Sequence, residues 1–181
     1  VYSFNKAILL SKNQNIFLSD QDDIWIPGRV EMMLDCLNNP KTLLVSSNFS
    51  WINNDDDPIT IFYDGVSSDT SKRYFKNVVD IFIGKTNYFG CAMGFKKDLV
   101  PIICPIPSFI ESHDLWIAKA GNIMKSNAHL NKHTFFKRKH DSNVTSTISE
   151  RSLIKKFFSR IIFLISIVYI YKRKLFLRFN K

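Results

Sequence analysis

The sequence has little cysteine, no glycine-rich phosphate loop and no uncharged apolar stretch long enough to cross a bilayer, and each shortage removes a class of function. Cys36, Cys91 and Cys104 are odd in number, far apart and set among apolar residues. That pattern suits neither a disulfide framework nor a zinc site, so a reducing, cytosolic setting is expected. Gly84-Lys85-Thr86 lacks the upstream glycine of a nucleotide-binding P-loop, which places phosphoryl transfer last among the candidate chemistries. The opening residues, Val1-Tyr2-Ser3-Phe4-Asn5-Lys6, have no basic region leading into an apolar run, so no signal peptide is read there. They also lack an initiator Met, and the expectation is that the true N-terminus lies upstream. Basic character is missing from most of the chain as well. The net charge is +9, but residues 150–181 carry +8 of it. A nucleic-acid-binding domain needs a basic face on its globular part, so no nucleic-acid partner is expected.

A length of 181 residues, 45% of them hydrophobic, suits one domain with an appendage. The apolar spacing divides it into a domain over 1–146 and a tail over 147–181. Within the first part, Phe4, Ala7 and Ile8 follow a helix face, and Ile16-Phe17-Leu18 reads as a buried strand running into acids. Pro27 suits a first helical turn. Val30, Met33, Leu34 and Leu37 continue that helix until Asn38-Asn39-Pro40. A strand is expected over Thr42 to Ser47, an acidic loop over Trp51 to Asp57, a short strand over Ile59 to Tyr63 and a helix through Phe75, Val78, Val79 and Phe82. Tyr88 to Phe95 alternates small and large residues, which permits close approach of backbone or ligand. Pro101 to Pro107 is expected to be irregular, and a helix near His113 to Ala120 to end at Gly121. Helices alternating with strands give an α/β fold, in which ligands gather at the C-terminal ends of strands.

Asp20, Asp22 and Asp23 follow directly on a predicted buried strand. Carboxylates so close repel one another unless a cation or hydrogen-bond donors compensate. Mg²⁺ or Mn²⁺ does so while leaving room for substrate phosphates. An acidic turn capping the helix near Pro27 is an equally weighted alternative on spacing alone. A calcium loop of the EF-hand kind is not matched, because the glycine and terminal glutamate it needs are absent.

Phe17-Leu18-Ser19-Asp20-Gln21-Asp22-Asp23-Ile24-Trp25 with Arg29-Val30-Glu31 resembles the DxD segment of family 2 glycosyltransferases of the GT-A fold, in particular the bacterial rhamnosyltransferase-like branch. Three later segments resemble that family in the same order: Gly90-Cys91-Ala92-Met93-Gly94-Phe95-Lys96-Lys97, His113-Asp114-Leu115-Trp116, and Arg138-Lys139-His140-Asp141-Ser142-Asn143-Val144-Thr145. The resemblance implies a partial GT-A domain, a Rossmann-like mixed sheet with flanking helices, whose nucleotide-cradling first βα units are not found in this sequence. It implies a donor pocket in which Asp20 and Asp22 hold the ribose and the Mg²⁺ or Mn²⁺ bridging the diphosphate of a nucleotide sugar, with Asp22 the first metal ligand and Asp23 supporting the loop. It implies that Asp114 is the general base of an inverting transfer to an acceptor hydroxyl, that His140 completes the metal shell, and that Arg138 and Lys139 offset charge on the leaving diphosphate. Asp114 also suits a helix cap before Leu115, and the two roles are compatible.

Thr147-Ile148-Ser149-Glu150 matches a capping box opening a helix towards Phe179. Ile161 to Tyr171 is apolar except for Ser166 and is flanked by basic clusters, short of the ~20 residues of a spanning helix. A C-terminal amphipathic, apolar helix lying on an anionic membrane is preferred over one docked on the core with its charged face in water. The leading expectation is thus a peripheral enzyme at the cytoplasmic face of the inner membrane, glycosylating a surface polysaccharide or a lipid-linked glycan. The second is a non-catalytic remnant that binds a membrane or a partner through its tail.

Overall fold

A computed structural model describes residues 1–86, 88–139 and 153–179. His140, Asp141 to Thr145 and the capping box at 147–150, all singled out in the sequence, lie outside the described residues. The chain runs α1 (Tyr2–Leu10), β1 (Asn15–Phe17), β2 (Ile24–Trp25), α2 (Arg29–Asn38), β3 (Leu44–Ile52), β4 (Pro58–Ile59), α3 (Tyr74–Ile83), β5 (Met93–Lys96), α4 (Val100–Ile103), α5 (His113–Ile123), β6 (Asn127–Arg138) and α6 (Leu153–Phe179). The strands form one mixed sheet in the order β1-β5-β3-β6-β2, with β4 pairing the far end of β3. Among the described residues only the β3–β6 pair is parallel. The fold is α/β, a mixed sheet flanked by helices with a long C-terminal helix.

The sheet differs from the expected one at its centre. β6, the twelve-residue strand Asn127–Arg138, was not anticipated, and β3 extends to Ile52 rather than ending at Ser47. Both are polar, and several of their buried side chains are paired internally. Ser47 Oγ lies 2.7 Å from Thr134 Oγ1. The Asn48 amide donates to Val66 O at 2.9 Å and accepts from Val66 N at 2.8 Å. Such pairing offsets the cost of burying polar groups. Register shifts at Ser47/Asn48 and Asn48/Ser50 break the two-residue alternation on which a strand is recognised. The predicted strand at Ile59 to Tyr63 stops at Ile59. Tyr63 instead turns its hydroxyl back onto the backbone of Phe49, donating to O at 2.8 Å and accepting from N at 2.9 Å.

Two further expectations are corrected. Part of the proline-rich piece is regular: Val100–Ile103 forms a helical turn with Pro101 in its first positions, where its missing N–H is no loss. Gly121 does not end α5. It lies inside the helix because a Cβ there would meet Leu44 Cδ2 at 2.5 Å, and the helix closes at Lys125, with φ +55. Ser126 N donates to Gly121 O and Lys125 N to Asn122 O, both at 2.9 Å, the bond pattern of a Schellman cap with lysine in the usual glycine place. Gly84, at φ +76, is likewise the cap of α3, so Gly84-Lys85-Thr86 is a helix end.

α5 is buried along most of its length, with Trp116, Ile117, Ala118 and Ala120 fully enclosed between the sheet, α3, α4 and α6. Below it lies a polar knot. His129 of β6 contacts Thr70 Oγ1 at 2.6 Å through Nδ1, and Tyr88 Oη and Asn127 Nδ2, each at 2.8 Å, through Nε2. Burial lowers the His129 pKa to about 4. In the unfolded chain a histidine titrates near 6.5, so the unfolded state takes up its proton first as pH falls. Stability contributed by neutral His129 is therefore present above pH ~6.5 and lost towards pH 4, by up to about 3 kcal/mol. Urea midpoints measured from pH 7.5 to 4.5 are expected to fall across that window, and less steeply in His129→Gln.

Candidate active site

The aspartate segment emerges between the end of β1 and β2. Leu18 N donates to Met93 O at 3.1 Å, which continues the β1–β5 pairing and delivers Asp20 beside the turn that precedes β5. That turn, Gly90–Ala92, is a single 3-10 coil. Arg29, at the start of α2, fastens the arrangement. It is 1% exposed, donates from Nη1 to Thr134 Oγ1 at 2.9 Å and from Nη2 to Cys91 O at 2.5 Å, and lies between the rings of Trp25 and Phe135, at 4.6 and 4.7 Å. One guanidinium thereby joins β2, β6 and the Gly90–Ala92 turn. Burial lowers its pKa to about 10, so it stays charged at neutral pH. The aromatic group of Phe49, Tyr63, Phe89, Phe135 and Trp51 packs around the same turn.

Carboxylate oxygens of Asp20 and Asp23 and the Cys91 sulfur lie within 4.8 Å of one another, and no other group of three potential metal ligands occurs among the described residues. Asp22 stands outside this trio. The Asp23 side chain is fully enclosed, and the polar groups that face it are the Cys91 thiol and Lys137 Nζ, the latter 4.0 Å from Oδ1. Burial pushes its pKa up, against the pull of Lys137. A buried carboxylate with so few donors is costly and favours a cation beside it. Burial raises the Cys91 thiol well above its usual range, so sulfur is a protonated, poor ligand and the charge of the trio resides on the aspartates.

The cation present is one that sequence reasoning missed. Lys137 of β6 places Nζ 3.0 Å from Asp20 Oδ2, 3.4 Å from Cys91 Sγ and 4.0 Å from Asp23 Oδ1. Burial opposes its charge, but the Asp23 and Asp20 carboxylates beside it outweigh this and raise its pKa. Its only signal in the sequence is indirect. It stands two residues from the buried Phe135 and so shares that residue's side of the strand.

Asp114 belongs to the first turn of α5, whose N-cap Ser112 accepts from Leu115 N at 3.3 Å. Its Oδ1 lies 2.8 Å from His113 Nε2, and the His113 ring stacks on Phe4 at 4.0 Å. A Cβ on Gly90 would come within 2.9 Å of Asp114 Oδ1 and 2.8 Å of His113 Nε2. Gly90 and Cys91 are consecutive, with Cα atoms about 3.8 Å apart, so the missing side chain at Gly90 seats Asp114 on the same turn that carries the aspartate trio. Asp20, Asp23 and Asp114 are thus brought together around Gly90-Cys91. Arg138 is directed elsewhere: Nη1 donates to Asn53 O at 2.8 Å, and Nη2 pairs with Asp56 of the β3–β4 hairpin. Lys139 is exposed, and its backbone N donates to Ile52 O. A separate cleft of about 350 Å³, lined by Asn48, Phe62, Tyr63 and His133 among others, includes none of the aspartates.

No protein-family profile matches the chain, and neither does any curated protein sequence. Among solved structures, it is similar to the crystal structure of S. aureus TarS 1-349 in complex with UDP-GlcNAc, with a TM-score of 0.55 and 12% sequence identity over 90% of this chain. The chain spans 45% of the length of that structure. At this identity the likeness establishes the fold, which resembles the GT-A-like glycosyltransferase fold.

Proposed function

We propose that the chain forms the acceptor-side part of an inverting glycosyltransferase that moves a sugar from a nucleotide diphosphate sugar to a hydroxyl of a surface polysaccharide or lipid-linked glycan. The observation that carries this reading is the enclosed Asp23 carboxylate beside Asp20 and Cys91, with Asp114 against the neighbouring Gly90. Two acidic centres, one beside Gly90 and the other beside Cys91, suit two tasks, one handling a cation with its diphosphate and the other a proton. The glycosyltransferase-like fold supports it, as does the binding of UDP-GlcNAc by TarS. The rhamnosyltransferase-like branch rests on sequence resemblance alone.

In this mechanism the acceptor hydroxyl lies against Asp114, which takes its proton as the oxygen attacks the anomeric carbon from the face opposite the diphosphate. The carbon–oxygen bond to the diphosphate breaks, the nucleoside diphosphate leaves with the bonding pair, and configuration inverts. Asp20 and Asp23 fit a divalent cation such as Mg²⁺ or Mn²⁺, since their oxygens are the hard donors it prefers, with Asp22 adjacent in the same loop. Bound there, the cation would offset diphosphate charge, and Lys137 adds a fixed positive charge beside it. Phe49, Phe89 and Phe135 keep water from the floor of the site, which strengthens these interactions.

The test is nucleoside diphosphate release by the complete protein from a set of nucleotide sugars beginning with UDP-GlcNAc. Release is expected with Mg²⁺ or Mn²⁺ and to fall at least about 100-fold on chelation. Undiminished turnover in both Asp22→Ala and Asp23→Ala overturns the assignment.

A further inference from the structure

α6 is docked on one side only. Phe163, Ser166 and Ile170 are buried against the core. The same side is fixed by Lys119 Nζ donating to Ser166 Oγ, by Arg173 donating to the carbonyls of Ile102 and Pro105, and by Lys174 donating to Ile123 O. At 3.6 residues per turn, the opposite side presents Phe157, Ile161, Leu164, Ile165, Val168 and Phe176, all exposed. An apolar strip of this length, interrupted at Lys172, on a helix already docked by its other side is far more than scattered surface residues explain. Lys172 stands on it near the C-terminal end, where a long side chain lays its stem along apolar surface and keeps the ammonium in water.

From this face we infer that α6 is a docking surface for an anionic lipid bilayer, lying in the interface with its outer strip among the acyl chains. Charge selects that occupant. Exposed Lys155 and Lys156 stand towards one end of the strip, and Lys172 and Arg178 towards the other. α6 contains no acidic residue, so a second copy laid on it would meet only like charge, whether the helices ran parallel or antiparallel, and like charges across an interface are unfavourable. Anionic headgroups meet both basic ends at once while the strip between them leaves water. No helix among the described residues is long and apolar enough to cross a membrane. The inference rests on α6 alone and stands apart from any reading of the aspartates.

Flotation with phosphatidylcholine vesicles, with and without phosphatidylglycerol, tests it. The wild-type chain is expected to float with the anionic vesicles and to bind neutral ones about tenfold less. The double variant Leu164→Asp/Val168→Asp is expected to lose about tenfold or more of its binding to anionic vesicles. Lys156→Gln/Lys172→Gln is expected to weaken the anionic preference alone. All four positions are exposed, so helicity measured by circular dichroism stays unchanged. Absence of wild-type flotation, flotation indifferent to the double variant, or a wild-type dimer that the same variant makes monomeric would each overturn it. None of these outcomes bears on donor binding.

Discussion

Asp114→Asn is expected to lower kcat for sugar transfer by about 10²–10⁴ while leaving KM for the donor near its wild-type value. Asparagine keeps the shape and the hydrogen-bonding reach of the side chain at the head of α5, but its amide does not accept the proton of an attacking hydroxyl. Little else depends on that carboxylate. The helix retains its Ser112 cap, and loss of one negative charge near a helix N-terminus costs about 0.3–1 kcal/mol. The two effects therefore separate cleanly in steady-state kinetics and thermal unfolding. His113, 2.8 Å from Asp114 Oδ1 and stacked on Phe4, acts on the reaction only by holding the carboxylate. His113→Gln is accordingly expected to cost less than Asp114→Asn. A kcat unchanged in Asp114→Asn removes the base from this turn and with it the inverting mechanism.

The parts of this site that could be read from the sequence are those whose chemistry is locally abnormal. Three aspartates in four residues after an apolar run have few explanations, so Asp20, Asp22 and Asp23 stood out before any fold was known. Asp114 has no such signature. A single acid in the first turn of a helix is an ordinary cap, and it was reached only through the resemblance of His113-Asp114-Leu115-Trp116. The helices α2, α3 and α5 were legible because each repeats apolar residues at helical spacing, although Gly121 was misjudged. Its requirement is imposed by Leu44, which is 77 positions away in the chain. β6 was illegible for a related reason. It is a central strand, but its buried positions include Asn127, His129 and Thr134, each paired to groups on distant elements, so the hydrophobic pattern that marks a strand is replaced by a tertiary hydrogen-bond pattern. Missing β6 meant missing Lys137, because a lysine among Lys132, Arg138 and Lys139 reads as one more solvated cation until its strand is placed.

Lys137→Met is expected to destabilise the fold by about 1.5–3 kcal/mol at neutral pH, less than for a fully buried ion pair because Asp20, its nearest partner, is 38% exposed. Methionine fills the stem of the side chain, so the loss is electrostatic in origin. Asp23 keeps its burial and its charged neighbours Asp20 and Asp22, while the ammonium that lowered its pKa most is gone and the Cys91 thiol alone remains to do so. The sign follows from that direction. A carboxylate whose folded pKa lies above its unfolded value penalises folding when ionised, and the penalty disappears as pH falls through the folded pKa. The deficit of the variant is therefore largest at neutral pH and shrinks on acidification, the reverse of the acid sensitivity expected from His129. A second consequence distinguishes this account from simple loss of packing. With the ammonium removed, Asp20 and Asp23 form an uncompensated pair of hard donors, and any divalent ion that binds the folded state alone stabilises it by mass action. Mg²⁺ or Mn²⁺ is accordingly expected to raise the urea midpoint of Lys137→Met more than that of the wild type, where the ion must share the site with Nζ. Equal midpoints for the two proteins at pH 7.5, or a deficit that neither acid nor Mn²⁺ repairs, would show that Lys137 is not the resident cation of the aspartate loop.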